Sequence, residues 1–164
     1  MRKKLLAALL SLACLASLAA CGSPASDGDP TGYETKAVDL LADGGAFSEP
    51  LETLDSETAF LLYRFSDYEL EAGAMTACAA LRSSGATCEE AAVVIWQTEE
   101  QAAQAKQALE DYIRSQIDAN ADYRPAEIPK LEEARISQLN NTVLLVVAND
   151  MDAAEEAVPA LTAS

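Results

Sequence analysis

Apolar and polar positions follow two distinct periods along this chain. From Thr98 to about Ala119 the period is helical: Ala102, Ala105, Leu109, Tyr112, Ile113 and Ile117 recur with Glu, Gln and Lys between them. That spacing puts one apolar stripe on a long amphipathic helix. Thr98 and Gln101 have the spacing of a capping box at its start, and Pro125 bars much extension at its far end. Ala91–Trp96 (AAVVIW) and Thr142–Ala148 (TVLLVVA) are instead short, near-continuous apolar runs. They read as buried strands, the second of them central.

Weaker signals fill in the rest. Glu34–Ala42 predicts a short helix with Ala37, Leu40 and Leu41 on one side, stopped by Asp43-Gly44-Gly45. Phe47, Pro50, Leu51 and Leu54 form an irregular apolar approach to a second helix over Glu57–Tyr63, capped by Asp55 or Ser56. The stretch Tyr68–Leu81 is rich in Ala and Leu, which favour helix. Ser83-Ser84-Gly85-Ala86-Thr87 is nevertheless a turn signal ahead of a strand, so a hairpin is the simpler expectation. Tyr123–Pro129 reads as a connecting loop, Leu131–Gln138 as a partly alternating strand with Ala134 and Ile136 on one face, and Leu139-Asn140-Asn141 as a turn. Asp152 with Glu155 opens a closing helix, Ala153–Val158, that Pro159 ends. The order α-α-β-β-α-β-β-α predicts the α+β class: a small antiparallel sheet of about four strands packed against one long helix, with short N- and C-terminal helices.

The first residues stand apart from this domain. A positive block, Met1-Arg2-Lys3-Lys4, precedes the uncharged Leu- and Ala-rich run Leu5–Ala16, the layout of a secretory signal. The run is shorter than the about 20 residues a membrane-spanning helix needs. It ends in Leu18-Ala19-Ala20-Cys21. Cleavage after Ala20 would put Leu18 at −3, which suits an ordinary secretory site badly. The same four residues resemble the bacterial lipobox, which implies a lipidated Cys21 and cleavage before it. Several acyl chains on one residue make a stable anchor where one chain is marginal. Gly22–Gly32 (GSPASDGDPTG) is almost free of apolar residues and reads as a flexible tether. The expected organisation is a lipoprotein signal peptide over 1–20, lipidated Cys and tether over 21–33, a single α+β domain over 34–159 and a tail over 160–164. The expected location is the outer face of the cytoplasmic membrane, with the membrane as partner through the lipid anchor.

Composition narrows the chemistry. Loss of Arg2, Lys3 and Lys4 with the signal takes the basic count from 11 to 8 against 27 acidic residues, a net charge of −19. This argues against nucleic acid, which needs a basic footprint, and fits a solubilising role. There is no histidine, which removes Ser-His-Asp and Cys-His nucleophile systems and His-ligated zinc. No catalytic set, cofactor or metal site is expected. Asp27–Gly32 imitates a calcium loop, but Val38 stands where a bidentate Glu is required. Asp150 and Asp152 suit helix capping, and Asn140-Asn141-Thr142 suits a hairpin turn.

Two pairs remain as candidates. Cys78 and Cys88 are a candidate disulfide in an exported chain. A hairpin centred near Ser84-Gly85 pairs residue 81 with about residue 88, however. Cys78 then lies roughly 10 Å out of register at about 3.3 Å per residue, beyond the about 7 Å a bridge tolerates. Two small buried side chains are the alternative. Tyr123 and Arg124 put an aromatic ring and a guanidinium on a loop, a candidate binding loop.

Residues 84–116 (SGATCEEAAVVIWQTEEQAAQAKQALEDYIRSQ) resemble the core signature of an uncharacterised lipoprotein family of Gram-positive bacteria, domain of unknown function 4358. Asp122-Tyr123-Arg124-Pro125, Pro129-Lys130-Leu131-Glu132 and the strand around Leu144-Leu145-Val146-Val147 extend the resemblance over roughly 36–158. The resemblance implies an extracytoplasmic lipoprotein and no particular activity. Two functions are open. One is a non-enzymatic binding or interaction module with an envelope protein partner. The other is a carboxylate-dependent hydrolase of cell-wall glycan. It would need two acids about 5–10 Å apart, for which Glu89, Glu90, Glu99 and Glu100 are candidates by abundance.

Overall fold

The computed structural model describes residues 31–162. Cys21, the signal segment and the calcium-like Asp27–Pro30 lie outside the described residues. Five strands form one antiparallel sheet: β1 (Glu52–Leu54), β2 (Met75–Arg82), β3 (Glu90–Trp96), β4 (Arg135–Leu139) and β5 (Thr142–Val147), in the order β1-β2-β3-β5-β4. The helices are α1 (Ala37–Asp43), α2 (Ser56–Leu62), α3 (Glu99–Asn120), α4 (Ile128–Glu132) and α5 (Met151–Ala157).

The α+β class and the long helix stand as expected; the layering differs. Helices cover both faces of the sheet. Ala92, Val94, Trp96, Val143, Leu145 and Val147 pack with α2 and α3. The alternate residues Ala91, Val93, Leu144 and Val146 pack with Val38 and Leu41 of α1 and Ala154 of α5. Burial on two faces is why β3 and β5 have near-continuous apolar runs in place of alternation. All six residues of β5 are buried. In α1 the buried side chains are Ala37, Val38 and Leu41, whereas Leu40, expected inward, is 45% exposed.

The strong local signals landed well. Thr98 caps α3 with the full box, its hydroxyl accepting from the Gln101 N–H and the Gln101 side chain accepting from the Thr98 N–H. Asp55 caps α2 through the Thr58 N–H. Asp150, not Asp152, caps α5, accepting from Ala153 N–H at 2.9 Å. Three segments differ. The short edge strand β1 adds a fifth strand. Tyr68–Ala74 holds 3-10 turns rather than strand, and Pro125–Glu132 winds into a 3-10 turn and α4 where a loop and strand were expected. Proline in the first turn of each of these last two pieces fits a helical start.

The packed body also reaches further than composition suggests. Tyr33, assigned to the tether, is 4% exposed and donates its N–H to the Thr142 hydroxyl at 2.7 Å. Leu161, assigned to the tail, is buried too.

Candidate functional site

Glu90 opens β3 and Glu89 stands just before it, and both are carried into the interior. Successive strand residues point to opposite faces. Glu90 enters the α3 side, where its Oε1 accepts from the Tyr63 hydroxyl at 2.6 Å and its Oε2 from the Tyr112 hydroxyl at 2.8 Å. Arg82 Nε lies 3.4 Å from Oε2. Burial raises the Glu90 pKa, opposed by the Tyr63 bond and by Arg82 and Tyr112. Burial, and then the Glu90 charge, raise both tyrosines as well.

Glu89 is fully buried. Its Oε2 accepts from the Ser48 N–H at 2.8 Å, and its Oε1 from the Ser48 hydroxyl at 2.5 Å and from Lys130 Nζ at 2.7 Å. Lys130 also lies 3.2 Å from Glu127, whose Oε2 accepts from the Cys88 N–H. Burial pulls the Lys130 pKa down, but the bonds to Glu89 and Glu127 outweigh it and the pKa is raised. The same end of the sheet is tied by Ser83 and Thr87, whose hydroxyls donate to Glu49 at 2.6 and 2.9 Å. These carboxylates hold the turn and the sheet end together; donors occupy both oxygens of Glu89 and of Glu90.

A different place is open to solvent. A cleft of about 550 Å³ lies between the end of α2, the 3-10 turn Phe65–Tyr68 and one face of α3. Residues 108, 111, 112, 115 and 116 supply the helical wall, the i, i+3, i+4 rows of one helix face. Arg64 and Asp67 form an ion pair at 2.5 Å on the opposite wall. Asp111 accepts from the Tyr68 hydroxyl and pairs with Arg114. The Tyr68 bond, followed by Arg114, holds the Asp111 pKa below the usual carboxylate range. Arg64 (φ 55°) and Glu69 (φ 61°) bracket the 3-10 turn in the left-handed region. For residues other than glycine this costs on the order of 1 kcal/mol each, and such strain clusters at ligand clamps and switches.

The expected site residues fall elsewhere. Tyr123 is 87% exposed. Arg124 turns back onto the body, donating to the Gly85 and Thr87 carbonyls at 2.9 and 3.1 Å and to Asn120 at 2.8 Å. It locks the β2–β3 turn to the end of α3. Glu99 and Glu100 are exposed in the first turn of α3. Cys78 and Cys88 are free thiols. The expected pairing of residue 81 with 88 is replaced by Leu81 with Ala91, because the connection Ser83–Glu89 is longer than a tight turn. Cys78 sits opposite Val94, so Cys88 lies about 20 Å along the strand at about 3.4 Å per residue. Burial pushes the Cys78 thiol to about 11 and raises Cys88 against the pull of Arg124.

The sequence offered Glu89 and Glu90 as acids by abundance alone, and neither their burial nor the cleft was expected. An acidic pair abutting an uninterrupted apolar run was the available signal for the first. The pairs Arg64/Asp67 and Asp111/Arg114 are visible as i, i+3 spacings, but their meeting across a cleft is tertiary.

The fold and site define an α+β protein whose antiparallel sheet is covered by helices on both faces. Its family model, described as Domain of unknown function (DUF4358), matches residues 65–148, just over half of the chain, and the chain belongs to that family. The matched span contains β2 to β5, all of α3 and most of the cleft lining. Neither a curated protein nor a solved structure matches the chain.

Proposed function

We propose that this protein is an extracytoplasmic lipoprotein, held by acylated Cys21 at the outer face of the cytoplasmic membrane, whose domain is a non-enzymatic binding module for an envelope partner. The lipobox, the signal layout and the likeness to Gram-positive lipoproteins support the anchor. The observation that carries the binding role is the coincidence, at one cleft, of open volume, a polar lining and left-handed backbone at Arg64 and Glu69, which bracket the 3-10 turn of its wall. The hydrolase reading needs two acids facing each other with room for substrate and one of them holding a proton near neutral pH. Both oxygens of Glu89 and of Glu90 are held by donors, and Glu90 is buried behind the Tyr63 and Tyr112 side chains that line the cleft. In the cleft, Asp67 and Asp111 are each paired with arginine, and Asp111 is pushed away from holding a proton.

Site-specific photocrosslinking in intact cells tests the binding role. A photoreactive residue replacing Gln116, in the cleft wall, should capture a reproducible envelope component. The same residue at Asp118, exposed on the same helix outside the cleft, should not. Equal background from both positions would overturn the reading.

A further inference from the structure

We infer that the cleft takes a neutral, polyhydroxylated ligand, a short stretch of uncharged oligosaccharide. This rests on the cleft being the binding side proposed above. The charged side chains lining the cleft are Arg64, Asp67 and Asp111, and each is closed in an ion pair, Arg64 with Asp67 and Asp111 with Arg114 just outside the lining. A charged ligand therefore meets no net opposite charge there. An anion is further repelled by a chain whose formal net charge is −16. An apolar ligand would strand the paired ions and the Tyr68 hydroxyl away from water, at the cost of burying polar groups without partners.

A sugar meets the opposite situation. Each of its hydroxyls is donor and acceptor at once, and the cleft lining supplies both donors and acceptors. The Tyr68 and Ser115 hydroxyls, whose protons go to Asp111 and to the Tyr112 carbonyl, bring acceptor oxygens, and Gln116 brings an amide with both functions. The Arg64 guanidinium and the Asp67 and Asp111 carboxylates add planar donors and acceptors, which favour bidentate contact with neighbouring hydroxyls. The half-buried ring of Tyr68 gives a flat apolar face against which the C–H face of a pyranose can rest. The volume, about 550 Å³, falls within the about 300–1,000 Å³ of small-molecule sites.

The test uses the full chain purified from membranes in a polyoxyethylene detergent, whose head group carries no sugar. Chitotetraose is titrated against the isotope-labelled protein and followed by amide NMR. Tetragalacturonate and the de-N-acetylated tetramer serve as its anionic and cationic counterparts. Chitotetraose should shift the amides of residues 64–68 and 111–116. Tyr68→Phe combined with Gln116→Ala should weaken binding by about tenfold or more while the core amide resonances stay those of the folded chain, and neither charged tetramer should bind more tightly. Absence of shifts at millimolar chitotetraose, shifts confined to another surface, or tighter binding of a charged tetramer would each overturn the inference. Should Gln116 still crosslink a partner in cells while chitotetraose fails, the binding role survives and the ligand class alone falls.

Discussion

Tyr63 and Glu90, 27 residues apart, share a 2.6 Å hydrogen bond inside the body. It fastens the end of α2 to the start of β3, and Tyr112 repeats the arrangement from α3 on the other carboxylate oxygen. The two rings meet edge to face at 5.1 Å. One carboxylate thus joins two helices to the sheet beneath the cleft that Tyr63 and Tyr112 help to line.

This carboxylate should leave a signature in the pH dependence of stability. Burial raises the folded-state pKa of Glu90 above its ordinary 4.5. The folded state therefore binds that proton more tightly, and stability rises as pH falls through the folded pKa toward the unfolded one. Glu49, Asp55 and Asp111 are shifted the other way by their hydrogen bonds, so their contribution is lost as pH falls below the ordinary carboxylate range. Urea unfolding from pH 2 to 8 should show a maximum on the acid side of neutral. Glu90→Gln should flatten its neutral side and leave the acid limb; an unchanged neutral slope would contradict the assignment.

Lys130 offers a second test. Its ammonium is the cation on the fully buried Glu89. Removing one partner of a buried pair leaves an uncompensated charge, a loss of about 3–5 kcal/mol. Lys130→Met should lower stability by about that much in urea unfolding, and Lys130→Met with Glu89→Gln should recover part of it. Equal losses for the single and double variants would speak against the pair.

Gly44 probes the layer opposite the cleft. A Cβ there would stand 2.8 Å from Ala157 Cβ and 2.9 Å from the Leu40 carbonyl oxygen, where α1 meets the end of α5. Gly44→Ala should cost about 1–3 kcal/mol through overpacking, read as a lower unfolding midpoint. A midpoint equal to or above wild type would show that the two helices can separate freely.

The attachment point of the tether should orient the domain at a membrane. The Thr31 carbonyl accepts from the Asn140 side chain at the β4–β5 turn, and Gln138 ties that turn to the start of α3 at Glu99. The opposite end of α3, a helix of 22 residues, is about 33 Å away at about 1.5 Å per residue and holds Arg124 and the β2–β3 turn close by. With the acylated chain in vesicles, a fluorophore beside Asn140 should be quenched by a headgroup acceptor more than one at Ser84. Equal quenching would remove the preferred orientation.

Local chemistry made part of this legible in the sequence. The α3 cap at Thr98 and the apolar runs of β3 and β5 depend on neighbouring residues, and each appeared where its pattern placed it. β1 was not legible, because a three-residue edge strand has no period of its own and forms only by pairing with Leu81 and its neighbours. The inward turn of Arg124 was equally hidden. Its partners, the Gly85 and Thr87 carbonyls, lie 39 and 37 residues away. The cleft needs α2 and α3 brought together by the core, so nothing local in the sequence marks its two ion pairs as neighbours of one site.

The central claim is that this domain works from a lipid anchor, and the mass of the mature protein extracted from membranes tests it most directly. Intact-mass and N-terminal peptide spectrometry should find residues 1–20 removed and Cys21 carrying a diacylglyceryl group at the new N-terminus. A chain that retains Met1–Ala20, or that begins at an unmodified Cys21, would contradict the anchor and the envelope role built on it.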